Sequence, residues 1–332
     1  MTSLEVGHET GSPFHRMFSY RETAVELQAA VDWLAAQGLR VSVSRIAQYQ
    51  RHLSKLAEDF ESGRLREVFD ASPETAKAKM FAEALVSMYE SGEVISIYQG
   101  LRALAPVLER EHLRKLISGQ NSYLNESASS SHARNKCFEL IVASRLAQVG
   151  MQLVRMLPAD VCAMLGRYRL VLECKRPQHV GTIEDNISDA FSQLRVRLRN
   201  ATVPRVRGVA AIDVTKAVNP EFQRVRVQSV EELTERMNRL GADYAEKRSA
   251  AWRENARNEK IVAVLLRFSC IAEVVKTSTP TYVQQYTVVS LALPSSSGQR
   301  LTANLAQALW LPPVWAAMSS VTGGRAPRIP AK

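Results

Sequence analysis

The sequence predicts an α/β protein in two parts: an all-helical N-terminal region, then a unit with a mixed central sheet and helices on its faces. Three observations predict it. Up to residue 118 the apolar positions recur at helical spacing. From Gly119 to Ser131 the chain turns polar and small (GQNSYLNESASSS), which reads as a linker. Beyond it, short β-branched runs and amphipathic helices follow in the order α-β-β-β-α-β, the order of a mixed sheet covered by helices.

Residues 1–16 are polar with Gly and Pro and read as a flexible N-terminus. Ala24, Leu27, Ala30, Val31 and Leu34 predict a helix from Tyr20 to Gln37, ended by Gly38. Ile46, Tyr49, Leu53, Leu56 and Phe60 predict a second from Ser42 to Ser62, before Gly63. Ser72-Pro73-Glu74 is a helix start, an N-cap followed by proline in the first turn. That helix runs through Met80, Phe81, Leu85 and Met88 to Gly92. Shorter helices follow over Val94–Leu104 and Pro106–Ile117. The segment VDWLAAQGLRVSVSRIAQYQ fits a helix-turn-helix reader of DNA, and equally a bundle used for packing, dimerisation or docking of a partner protein.

After the linker, His132 to Val149 is helical with Gly150 at its C-terminal stop. Gln152–Leu157, Val161–Leu165 and Arg169–Cys174 read as strands, the last two joined at Gly166-Arg167 as a hairpin. Thr182–Arg199 is an amphipathic helix and Val206–Val214 a buried strand. Val230–Ala256 is a charged helix or helix pair, Ile261–Phe268 and Tyr282–Leu293 are strands, and Leu301–Met318 is a helix. The predicted division is 17–118 helical, 119–131 linker, 132–321 α/β, and 322–332 a disordered Gly/Pro/Arg tail.

Composition sets limits on function. Of 332 residues, 46% are hydrophobic and 23% charged, as in an ordinary soluble globular protein. The net charge of +10 points to a polyanionic partner, with nucleic acid the first candidate. Cys137, Cys162, Cys174 and Cys270 are widely spaced in apolar contexts and read as reduced core thiols. The opening MTSLEVGHETGSPFH has no basic stretch leading into an apolar one, and the longest apolar runs fall far short of the ~20 residues that span a bilayer. The expectation is a cytoplasmic protein with no membrane segment. No phosphate-binding G-x-x-x-x-G-K-[ST] loop is present.

The charges that call for explanation lie between Glu139 and Lys175. Glu139 stands on a helix face with Val142, Ala143 and Leu146, where an uncompensated carboxylate is costly. A metal would compensate it, and so would a salt bridge to Arg145 or Lys175. In RLVLECK, strand alternation puts Glu173 and Lys175 on one face at the carboxyl end of a strand, where sites form in α/β sheets. An ordinary ion pair would use the same residues. Asp160, opening the partner strand, brings a second carboxylate to that end. Hard divalent ions such as Mg²⁺ take carboxylates and water as ligands. A lysine beside them can orient the attacking water or stabilise a charged transition state.

Glu139 in its helix, Pro158-Ala159-Asp160, and Glu173-Cys174-Lys175 together resemble the PD-(D/E)xK nuclease superfamily, the restriction-endonuclease-like fold. The wider context ARNKCFEL…ECKRP…NISDAFSQL is similar to bacterial members of it. The similarity covers His132 to Val214, at its widest on to Leu293, and leaves the N-terminal helices outside. The one departure is Pro-Ala-Asp in place of Pro-Asp. The resemblance implies an αβββαβ core and hydrolysis of phosphodiester bonds, most directly in DNA, for restriction, repair or defence. It implies Asp160 and Glu173 as metal ligands with the backbone carbonyl of Cys174, and Mg²⁺, or Mn²⁺, as the metal. Lys175 would position or activate the attacking water, Glu139 would reach the metal through water or complete a second site, and Gln193 would be an auxiliary residue. The other reading is a protein that uses the same fold to bind nucleic acid or assemble without cutting. Arg176 beside the motif and Arg195, Arg197 and Arg199, with Arg205 and Arg207 beyond, are the expected phosphate contacts. Asp213 is expected to cap the turn after its strand.

Overall fold

A computed structural model of the chain describes residues 8–10, 14–17, 20–64, 76–107, 110–120, 132–154, 159–255, 260–275, 279–292 and 296–310. Most of the expected linker, the Ser72-Pro73-Glu74 helix start, Pro158 and the C-terminal tail lie outside these residues.

Among the described residues, four α-helices precede the linker: α1 (Tyr20–Ala36), α2 (Arg45–Glu61), α3 (Ala76–Leu101) and α4 (Arg110–Ile117). Gly38 and Gly63 adopt positive φ just after α1 and α2, the left-handed turn that glycine enters without steric cost. Ser44 caps α2 by accepting the Ile46 N–H. The stop expected at Gly92 does not occur, because α3 continues through it to Leu101. A Cβ at Gly92 would run into the ring of Tyr282, so this glycine permits close packing rather than chain termination.

The α/β part contains α5 (His132–Gln148), β3 (Gln152–Leu153), β4 (Val161–Leu165), β5 (Tyr168–Lys175), α6 (Ile183–Asn200) and β6 (Val206–Asp213), in the α-β-β-β-α-β order read from the sequence. After a short α7 (Thr215–Val218) come β7 (Val225–Val227), α8 (Val230–Lys247) and α9 (Ser249–Asn255). The long strands β8 (Ile261–Val274) and β9 (Thr279–Ser290) and helix α10 (Ser297–Trp310) follow. Two short strands, β1 (His8–Thr10) and β2 (Phe14–Met17), pair antiparallel with β9, so the segment expected to be flexible contributes to the sheet.

The sheet runs β1-β9-β8-β6-β5-β4-β3, with β2 also on β9 and β7 on β8. β5, β6 and β8 are parallel, and β4 and β9 flank them antiparallel. Alternation along these strands feeds two cores. Leu170, Leu172, Val209, Ala211 and Leu265 face one cluster, shared with α3, α5 and the helices before them. Val171, Ala210, Ile212 and Val264 face the other, where Phe191 and Leu194 of α6 and Leu233 and Met237 of α8 pack. Leu27, Leu34 and Leu53 belong to the first cluster with Phe138 and Leu172. The N-terminal helices therefore share a core cluster with the sheet. Each fully buried Leu there contributes about 1.5–3 kcal/mol.

Candidate active site

The hairpin fixes the first pair of acids. Val161 pairs with Leu172 and Leu165 with Tyr168, so Asp160 stands one step beyond the ladder, opposite Glu173. Gly166 takes a positive φ at the first position of the two-residue turn, where hairpin geometry favours glycine. Asp160 Oδ2 accepts the Cys174 backbone N–H at 2.8 Å. Cys174 thus orients Asp160 through its backbone amide.

Glu173 has no exposed side-chain surface and receives both Nε and Nη2 of Arg197 from α6, the latter at 3.2 Å. Burial pushes its carboxyl up to about 7 against the pull of Arg197, with Asp160 adding to the rise. Glu139 projects from α5 and pairs with Lys136 one turn earlier, and among the described residues no ion pair joins it to Arg145 or Lys175. Burial again pushes the carboxyl up to about 7. Asp160 and Glu173 both raise it further, and Lys136 opposes them. Acids from α5, β4 and β5 therefore lie close enough to destabilise one another's charge.

Lys175 is half-buried and acts electrostatically on Glu173, yet it makes no hydrogen bond or ion pair among the described residues. Lys136, which the sequence reading missed, supplies a second ammonium group. Its only signal was the i,i+3 spacing to Glu139 in KCFE.

Arg176 is not available to a phosphate. Its guanidinium is 1% exposed and lies 2.7 Å from Glu93 Oε1, 3.2 Å from Asp213 Oδ2 and 3.2 Å from the Tyr89 hydroxyl. Arg267 completes this buried network, 2.5 Å from Asp213 and 3.1 Å from Glu93. Asp213 does cap its turn, accepting the Thr215 N–H at 3.0 Å, while also holding the two arginines. Arg197 is likewise committed, to Glu173. Arg195 bonds Ser192 Oγ at 2.9 Å and the Asn255 carbonyl at 3.4 Å, whereas Arg199 is exposed. Gln193 sits exposed on α6 with no bond to the acids among the described residues.

As a donor set, Asp160, Glu173 and Glu139 offer the oxygen ligands a hard divalent ion prefers, and two of them gain from an added positive charge. Among the described residues, no three His, Cys, Asp or Glu side chains stand close enough together to enclose a metal. Lys136 and Arg197 hold two of the acids instead, and a metal would have to draw those acids away. No helix among the described residues is long and apolar enough to cross a membrane. Compared with family models, curated proteins and solved structures, the chain matches none, so its function has to be argued from this geometry.

Proposed function

We propose that the chain is a divalent-metal-dependent nuclease, a restriction-endonuclease-like αβββαβ unit that hydrolyses phosphodiester bonds, most directly those of DNA. The observation that carries this reading is Lys175. In a cluster whose other cations are paired to acids, its half-buried side chain makes no hydrogen bond or ion pair among the described residues and acts on Glu173 from two positions along the strand. That is the disposition a lysine needs to orient a water molecule or meet a developing negative charge.

Asp160, Glu173 and Glu139 are the residues that would hold Mg²⁺ or Mn²⁺. The ion would supply polarisation of a phosphoryl oxygen and a more acidic bound water. The chain's own contribution is positional. The hairpin register sets Asp160 against Glu173, the Cys174 amide orients Asp160, and α5 brings Glu139 to the same end. Lys136 and Arg197 keep two acids compensated until a stronger cation competes for them.

Those same two ion pairs favour the second reading, a protein that binds nucleic acid without cutting it, because they neutralise the acids internally. Cleavage assays separate the two. Linear, supercoiled and single-stranded DNA are incubated with Mg²⁺, Mn²⁺ or EDTA, beside Lys175→Ala and Asp160→Ala. Metal-dependent cleavage lost in both variants is the expected result. Binding without cleavage of any substrate by the unaltered protein favours the non-cutting reading.

A further inference from the structure

We infer that the amino edge of β5 and β6, at the far end of the strands from the acidic cluster, is a binding surface for a phosphodiester polyanion. It is built from Arg167 and Arg207 against Tyr168 and Arg205 just before β6, with Arg169 and Arg199 flanking the same edge. The β4–β5 turn supplies Arg167, and β5 begins with Tyr168 and Arg169. The Arg169 N–H bonds the Arg205 carbonyl at 3.1 Å, and Arg207 pairs with Leu170 on the adjacent parallel strand. Arg199 lies in the last turn of α6, one short loop before Arg205.

Three features distinguish this edge from a solvated basic face. None of the five arginines takes part in an ion pair among the described residues, although the chain pairs many of its other arginines. Two of the guanidinium groups are held in place: Arg167 and Arg207 lie 5.4 and 5.3 Å from the centre of the Tyr168 ring. Ser297 and these two arginines keep the Tyr168 hydroxyl below its ordinary pKa. Arg205 is held at φ +58, a left-handed conformation that glycine adopts freely and that costs a side-chain-bearing residue about 1 kcal/mol. An exposed arginine in that conformation gives up stability to place a charge. Arg199 alone is explained by the favourable field at a helix C-terminus, but the others are not.

Guanidinium groups without ion pairs among the described residues, two of them held against Tyr168, suit a run of phosphates, and counterion release supplies the affinity without sequence reading. Tyr168 and Lys175 are separated along β5 by about 23 Å, at about 3.3 Å per residue. A mononucleotide cannot bridge that distance, whereas a nucleic-acid chain can. The choice of nucleic acid as the polyanion rests on the nuclease reading. The surface itself is independent of whether cutting occurs.

The test measures binding of a fluorescein-labelled 20-base-pair duplex, in EDTA, across a salt series. The triple variant Arg167→Ala/Arg205→Gly/Arg207→Ala is compared with Arg239→Ala, a surface arginine on α8 paired with Glu235. The triple variant is expected to flatten the slope of log K against log salt by about 2–3, at about 0.9 per lost phosphate contact. It should also weaken binding at least tenfold at 100 mM salt, while Arg239→Ala changes neither. Arg205→Gly alone should keep or raise the melting temperature while weakening binding, which separates charge loss from misfolding. An unchanged slope in the folded triple variant overturns the inference, as does binding to phosphatidylserine vesicles with none to DNA. Cleavage that persists with an unchanged slope leaves the nuclease reading standing and removes this surface. A flattened slope with no cleavage by the unaltered protein does the reverse.

Discussion

Lys175 and Arg176 are neighbours in sequence, and their side chains enter two charged clusters of opposite character. Arg176 joins a buried network in which Glu90, Glu93 and Asp213 meet Arg45, Arg134, Arg176 and Arg267, each acid touching at least two guanidinium groups. Burial alone would raise Glu93, but Arg176 and Arg267 together hold its carboxyl down at about 2. Lys175 stands at the other cluster, where Glu139 and Glu173 are pushed up to about 7 and each has one cationic partner. At Glu93 compensation exceeds desolvation, whereas at Glu90 burial keeps the carboxyl raised against Arg45 and Arg134; in both, two guanidinium groups hold the acid as part of the structure. In the cluster around Lys175, desolvation exceeds compensation, so the cluster is held at a cost that an added cation would relieve.

The sharpest way to break that distinction is to remove a partner from the network. Glu93→Ala leaves Arg176 and Arg267 fully buried with Asp213 as their remaining acid, and breaking a buried pair in this way costs about 3–5 kcal/mol. Urea unfolding should show a midpoint lowered in proportion, at unchanged slope. A midpoint equal to that of the unaltered protein would mean that the network does not stabilise the fold.

The opposite sign is expected at the acidic cluster. A carboxyl whose folded pKa lies above its unfolded value keeps its proton longer when folded, so the folded chain binds more protons as pH rises from about 4.5 towards about 7. Glu139 thus contributes stability that is present below its unfolded pKa and lost across that window. Glu139→Gln removes the loss. At pH 8 the variant should be more stable by about 1–2 kcal/mol, and at pH 4 it should match the unaltered protein. A destabilised variant at pH 8 would place Glu139 with the structural charges.

Much of this was legible in the sequence, for physical reasons that can be named. The ladder between Val161–Leu165 and Tyr168–Leu172 follows from two short apolar runs on either side of a glycine turn, both local signals. The pairing of Asp160 with Glu173 follows from them. Arg176 was misread because its burial depends on Glu93, 83 residues earlier, on a helix that packs over the strand end. No local pattern in ECKRP carries that information. Arg197 looked like one more cation in a basic stretch, and its bond to Glu173 needs the α6 crossover to fold back along β5. The strands β1, β2 and β7 span three or four residues each, too few for periodicity to register. They exist because β8 and β9 are long enough to offer them edges.

The smallest effect on stability is expected at Lys175, and it is the most informative. A side chain that makes no hydrogen bond or ion pair among the described residues contributes little to the fold, so Lys175→Met should change unfolding free energy by less than about 0.5 kcal/mol. The Met side chain keeps the apolar stem against the strand and removes only the charge. If Lys175 acts on a substrate, cleavage disappears in this variant while the urea midpoint and the salt dependence of DNA binding stay where they were. If Lys175 instead serves to compensate Glu173, its loss pushes the Glu173 carboxyl still higher. The variant would then lose stability at pH 8 and not at pH 4, where Glu173 carries its proton with or without the lysine.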